Sequence, residues 1–158
     1  MPFHWLDANI FIEAQNGPYA SDLVPSFWKW LEGAIKADLV RSSTRVCTEL
    51  TKGKKDHLSR WANQMKPSLF MSENSAVQKH FGEIAAFVQS NYAMPYATRF
   101  LSGADPWIIA HAMDNKGTVV THEVYSEGKE VKIPNMCEQF SVPYLGAYAA
   151  LRKLGMRI

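Results

Sequence analysis

What most constrains this chain is an alternation: short apolar runs of strand length recur between longer segments whose apolar residues fall at three- and four-residue spacing. Residues 3 to 7 (FHWLD), 39 to 43 (LVRSS), 118 to 121 (TVVT) and 142 to 145 (VPYL) read as strands. Between the first two, SFWKWLEGAIKAD places Phe27, Trp28, Leu31, Ala34 and Ile35 on one helical face. Residues 75 to 91 carry a longer amphipathic stripe of Val77, Phe81, Ile84, Ala85 and Val88. IFIEAQ, RVCTELTKG, DHLSRWANQM, TRFLSG, IPNMCEQF and GAYAALRKLG supply shorter turns or helices. DPWIIAHAMDNKG reads as a helix with both ends marked: Asp105 as N-cap, Pro106 at the first helical position and Gly117 as C-terminal cap. Strands separated by helical segments imply a mostly parallel sheet covered on both faces, an α/β fold.

A length of 158 residues fits one domain, and no repeat, low-complexity tract or Pro/Gly/Ser-rich linker divides it, so residues 1–158 are expected to form a single unit. A hydrophobic content of 47% is enough for a core without disulfides or structural metal. Cys47 and Cys137 are far apart and outside any C-x-x-C pair, and so read as small buried hydrophobes. The formal charge of +2, from 17 basic and 15 acidic residues, declares no nucleic-acid or membrane partner by itself. The start, MPFHWLDANIF, lacks a basic region and an apolar run of signal length, and no stretch approaches the roughly 18 apolar residues of a membrane span. A cytoplasmic protein with no membrane partner is expected.

Open parallel α/β sheets place their sites at the carboxyl ends of the strands. Asp7 ends the first strand, Glu123 follows TVVT by two residues, Asp105 opens a helix, and Glu49 lies on the helix after LVRSS. Four carboxylates from distant segments are therefore expected to converge at one edge of the sheet.

At these positions the chain resembles a known family. LDANIFIEA, the T-E-L at 48 to 50, GADPWIIAHA and VVTHE, in this order and spacing, are similar to the PIN-domain nucleases, and within them to a bacterial subgroup related to VapC-type toxins. Each motif alone is weak; the ordered set of four is the specific signal, and the resemblance spans nearly the whole chain. It implies a three-layer α/β/α fold with strand order 3-2-1-4-5, a Mg2+- or Mn2+-dependent phosphodiesterase site, RNA as the usual substrate, a cognate antitoxin and a homodimer. It also implies that Asn9 and Thr121 hold carboxylates or phosphate through hydrogen bonds. Glu123 departs from the family pattern, which more often has Asp there. Its longer side chain either serves a second metal position through water or is a conservative variant.

The chemistry accounts for the residue types. Mg2+ takes oxygen ligands, commonly one or two carboxylates with water and substrate phosphate completing its shell. Crowded carboxylates ionise poorly until a cation neutralises them. A bound ion makes water nucleophilic near neutral pH and stabilises the oxygens of an in-line displacement at phosphorus. Asp7 and Asp105 are the expected principal ligands, with Glu49 a ligand or an orienter of water. Each has an ordinary alternative: Asp-Pro caps helices, Asp forms turns, and Glu sits on solvated helix faces.

From Arg41 to Lys66 the chain carries Arg41, Arg45, Lys52, Lys54, Lys55, Arg60 and Lys66 against Glu49 and Asp56. This excess reads either as a basic rim that steers a phosphate backbone, with Arg45 and Lys52 nearest the site, or as a solvated surface. Trp28, Trp30, Trp61 and Trp107 either stack bases or fill the core, with Trp28 and Trp107 assigned to the core by their helical spacing. His111 and His122 lack a second histidine at ligand spacing and read as structural or exposed, His122 being a minor candidate for substrate contact. The functional classes left open are a metal-dependent endoribonuclease of toxin type, a DNA-directed nuclease, and a non-catalytic RNA-binding or protein-interaction module. A haloacid-dehalogenase-like phosphatase is disfavoured, because DANIF lacks the second Asp and the Thr of D-x-D-T.

Overall fold

In the computed structural model, which describes residues 2–158, the strand β1 (His4–Leu6) runs through the middle of the sheet. It pairs in parallel with β2 (Val40–Ser43) on one side and β4 (Thr118–Val120) on the other. β3 (Phe70–Met71) and β5 (Tyr144–Leu145) form the edges, completing the order β3-β2-β1-β4-β5. All five strands are parallel, and the order is the one implied by the resemblance. β3 was not among the four strands read from the sequence. At two residues, directly after a helix, it is too short to show an alternation.

Alternation in β1 assigns the two faces. Trp5 stacks on His111 at 4.7 Å on one side. Leu6 points the other way, into the layer that contains α1 (Ala8–Asn16) and α2 (Pro25–Lys36). That layer also holds α3 (Thr44–Thr51), α4 (His57–Leu69) and, after β5, α9 (Ala147–Lys153). On the opposite face α7 (Asp105–Asn115) lies across β1, β2 and β4, and α5 (Ser75–Asn91), α6 (Met94–Ser102) and α8 (Ile133–Gln139) pack around it. The result is three layers, α/β/α.

The helical faces expected from spacing are the buried ones. Phe27, Trp28, Leu31, Ala34 and Ile35 of α2 are all in the core. In α5, Val77, Ile84 and Val88 are buried, and Phe81 stacks flat on Trp107 at 4.0 Å. Cys47 and Cys137 are buried free thiols, as expected. Among the described residues no helix is long and apolar enough to cross a membrane.

Both marked ends of α7 differ from expectation. Its N-cap is Ala104, Asp105 is the first helical residue, and no side chain within the cap position closes the helix start. At the other end the left-handed residue is Lys116, with φ 59°, rather than Gly117. Gly117 is required for a different reason, since a Cβ there would strike the carbonyl of Phe3 and the Trp5 indole nitrogen where the chain enters β4. The glycine lets β4 lie against β1.

Candidate active site at the strand ends

The direction of strand order reverses between β1 and β4, which is where an open α/β sheet leaves a crevice. The register aligns Leu6 with Val120, so the next residues, Asp7 and Thr121, leave the sheet side by side. Both are buried. Thr121 Oγ1 donates to Asp7 Oδ2 at 2.7 Å and accepts from the amide of Glu123 at 3.0 Å. Asp7 is also the N-cap of α1, its Oδ1 accepting from the Ile10 amide at 3.2 Å. One hydroxyl thus ties the acid after β1 to the acid after β4.

Glu49 and Glu123 are held by helix starts on other segments. The amide of Ala104 donates to Glu49 Oε1 at 2.9 Å, so a carboxylate on α3 closes the N-terminus of α7 across 55 residues of chain. Glu123 Oε1 accepts from the Ile133 amide at 2.8 Å, at the start of α8, where the N-cap Lys132 provides no side-chain acceptor. Helix N-termini carry partial positive charge and favour nearby carboxylates. Capping and convergence are therefore one arrangement here, not competing explanations.

Asp105 is different. Among the described residues its carboxylate has no hydrogen-bond partner, and its ionisation is pushed up to about 7. Burial is the largest cause, followed by the charges of Asp7, Glu123 and Glu49, with Lys132 opposing them. Asp7 is raised to about 6, again chiefly by burial, with the Thr121 hydroxyl and the Ile10 amide pulling the other way and Glu123 adding to the rise. Asp105 thus feels the charge of each of the other three acids.

Glu49, Asp105 and Glu123 line an open cleft of about 360 Å3 with Asn9, Tyr96, Arg99, Glu130 and Lys132. Asp7 lies behind this wall. Among the described residues no three Asp, Glu, His or Cys side chains stand in ready ligand geometry for one ion. The donor set is nonetheless all oxygen, and Asp105 and one oxygen each of Glu49 and Glu123 are uncommitted. That fits a hydrated ion held by one or two carboxylates and water, the usual mode for Mg2+, and does not fit a closed protein cage.

The predicted basic rim is not at this cleft. Arg41 is tied to Asp38 and to the carbonyls of Ile35 and Val40, and it covers the Phe3 ring. Arg45 pairs with Glu73 at 2.6 Å and lies over the Trp107 ring, and Arg60 donates to the Lys55 carbonyl. Neither Arg45 nor Lys52 lines the cleft; its cations are Arg99 and Lys132, which sequence reasoning passed over. Both are isolated basic residues with no charge run to mark them. Asn9 lines the cleft, and among the described residues its side chain has no hydrogen-bond partner. Trp28, Trp61 and Trp107 are buried and unavailable for base stacking. His111 is buried against Trp5, its ionisation lowered to about 4 by burial, and His122 pairs with Glu13 at 3.1 Å.

A five-stranded parallel sheet in this order between two helical layers defines a PIN-like α/β/α fold, with acids at its switch point. A chain of VapBC2 from Rickettsia felis, crystallised bound to a DNA fragment from their promoter, is similar in fold. The TM-score is 0.54 over 91% of this chain and 98% of that chain, at 18% identity. The chain belongs to the family described as a domain of unknown function, DUF4411, whose model matches residues 4–158. No curated protein matches the sequence.

Proposed function

We propose that this protein is a divalent-metal-dependent endoribonuclease, the toxin of a toxin–antitoxin pair, with residues 1–158 acting as one nuclease domain. Asp7, Glu49, Asp105 and Glu123 would hold Mg2+ or Mn2+. The observation that carries this reading is Asp105: a carboxyl without hydrogen-bond partners among the described residues, held near 7 by burial and three other acids at the sheet's switch point. Strongly displaced carboxyls in a cleft are a mark of functional sites. Bound there, the ion would supply charge compensation and an activated water for hydrolysis of a phosphodiester. The chain's own residues supply position. Thr121 holds Asp7, the Ala104 amide holds Glu49, and the Ile133 amide holds Glu123, so these three carboxylates would be oriented before an ion binds. The fold shared with a chain of VapBC2 supports a cognate antitoxin as partner, and a homodimer is the expected assembly.

The test is incubation of purified protein with labelled tRNA, mRNA and single-stranded DNA in Mg2+, Mn2+ or EDTA. The reading expects RNA to be cut with either metal, RNA to stay whole in EDTA, and DNA to be spared. Binding without cutting in every buffer would make the protein a non-catalytic module, and cleavage confined to DNA would make it a DNA-directed nuclease.

A further inference from the structure

Of the residues lining the acidic cleft, two are cations, Arg99 on α6 and Lys132 at the start of α8, and one carboxylate holds both. Glu130 Oε2 lies 3.1 Å from Lys132 Nζ, and Glu130 Oε1 lies 3.6 Å from Arg99 Nη1. Two oxygens of one anion thus face two cations, as two oxygens of a phosphate would. Glu130 sits on the irregular connection from β4 to α8 and is 56% exposed, while Arg99 is 68% exposed. Exposed pairs of this kind are worth roughly 0–1 kcal/mol. A phosphate backbone, which also gains from counterion release, can displace such a carboxylate.

Tyr96 shares the wall of the cleft, with the Arg99 guanidinium 5.7 Å from its ring centre. An aromatic ring beside a cation is a stacking platform for an unpaired base, and every base offers such a face. A base inside a duplex does not. Asp105 is only partly exposed, on the wall of the same cleft.

We propose that Arg99, Lys132 and Tyr96 form the strand-binding wall of the cleft for single-stranded nucleic acid, and that Glu130 is an internal phosphate mimic that occupies the two cations until a strand displaces it. This rests on reading the cleft as a nuclease site, and it adds the residues that hold the strand and the contact that restrains them. The site is then self-screened: without a strand its cations are neutralised, which weakens capture of loose anions and raises the threshold for RNA.

The experiment is fluorescence anisotropy with a labelled single-stranded oligoribonucleotide of about ten nucleotides, a length within the span of known single-strand sites. It is run in EDTA across a salt series, so that binding is read without metal or cleavage. Glu130→Gln is expected to tighten binding about three- to tenfold, the range for release of one competing charge. Glu127→Gln, the same charge change on the same connection, should have a smaller effect. Arg99→Ala and Lys132→Ala should each weaken binding and flatten the log–log salt slope by about 0.7, the value for one phosphate contact on a single strand. In an Arg99→Ala, Lys132→Ala background the gain from Glu130→Gln should vanish, and a duplex of the same length should bind more weakly than the single strand.

An equal gain from Glu127→Gln, an unchanged slope in the Arg99 and Lys132 variants, no RNA binding by wild type or Glu130→Gln, or equal binding of duplex would each overturn the proposal. These outcomes are separable from failure of the nuclease reading. A protein that binds as described but cuts nothing in Mg2+ or Mn2+ leaves the strand-binding wall standing and removes catalysis. A protein that cuts RNA with all four variants binding alike removes the wall and leaves catalysis.

Discussion

The hollow enclosed by α1, α2 and α9 has a volume of about 430 Å3 and is walled by Leu6, Ile10, Phe27, Leu31, Val120 and Leu151. The cleft at the strand ends is smaller, about 360 Å3, and is walled by carboxylates, two cations and a tyrosine. The two regions meet at the same strands: Leu6 and Val120, the last residues of β1 and β4, line the first, and the residues that follow them, Asp7 and Thr121, lie buried behind the wall of the second. By size and apolarity alone the larger hollow is the default ligand site. Its charged groups, Glu13 and His122, are paired with each other. The smaller cleft has what chemistry needs, namely carboxyls displaced toward neutrality and polar groups fixed from several segments.

If the two regions are distinct in this way, substitutions should separate activity from stability. The largest expected effect is on cleavage: Asp105→Asn should lower the RNA cleavage rate by on the order of a thousandfold, because it removes the charge that attracts the metal. Its circular dichroism spectrum should match wild type. A folded Asp105→Asn protein that cuts at the wild-type rate would break the contrast at once. On the other side, Leu31→Ala, which truncates a buried wall residue of the apolar hollow, should cost roughly 2–5 kcal/mol in denaturant unfolding. Its cleavage rate per folded molecule should be unchanged. A rate loss without a stability loss in that variant would make the hollow part of the site.

A finer test lies on the border between the regions. Thr121→Val removes the hydroxyl that donates to Asp7 and receives the Glu123 amide. Losing an outer partner of a metal carboxylate typically costs roughly 10–100-fold in activity. Because that hydroxyl lowers the Asp7 pKa, the acid limb of the pH–rate profile should move to higher pH. An unmoved limb would detach Thr121 from the site. The smallest effect is on stability without metal. Asp7 and Asp105 bind their protons more tightly folded than unfolded, so between about pH 4 and 7 the folded state holds the extra protons. Stability should therefore fall as pH rises through that window, and the penalty is complete above it. Asp105→Asn should recover roughly 1–3 kcal/mol at about pH 8 and nothing near pH 4, in melting curves recorded in EDTA.

The same contrast explains what could be read before the fold was known. The faces of α2 and α5 show in the sequence because burial repeats every three or four residues, and Asp7 shows because it ends an apolar run. β3 has only two residues and leaves no pattern. Asp105 looked like a cap because Asp-Pro usually is one. The cap comes instead from Glu49, and a bond across 55 residues leaves no local trace. In the basic run from 41 to 66, Arg41, Arg45 and Arg60 bond to nearby carbonyls and carboxylates, and none of its cations lines the cleft. Arg99 and Lys132 are placed by tertiary packing of α6 and α8 alone.

The central claim is that buried, mutually repelling carboxyls at the β1–β4 switch point form a metal site, and calorimetric titration of Mn2+ tests it most directly. Protons and metal compete for Asp7 and Asp105, whose ionisations lie at about 6 and about 7. Wild-type protein should bind Mn2+ at about pH 8, bind it at least about a hundredfold more weakly near pH 5, and release protons as it binds between those values. Asp7→Asn, Asp105→Asn protein should show no heat of binding at either pH. Metal binding of equal strength at both pH values, or undiminished in the double variant, would contradict the account.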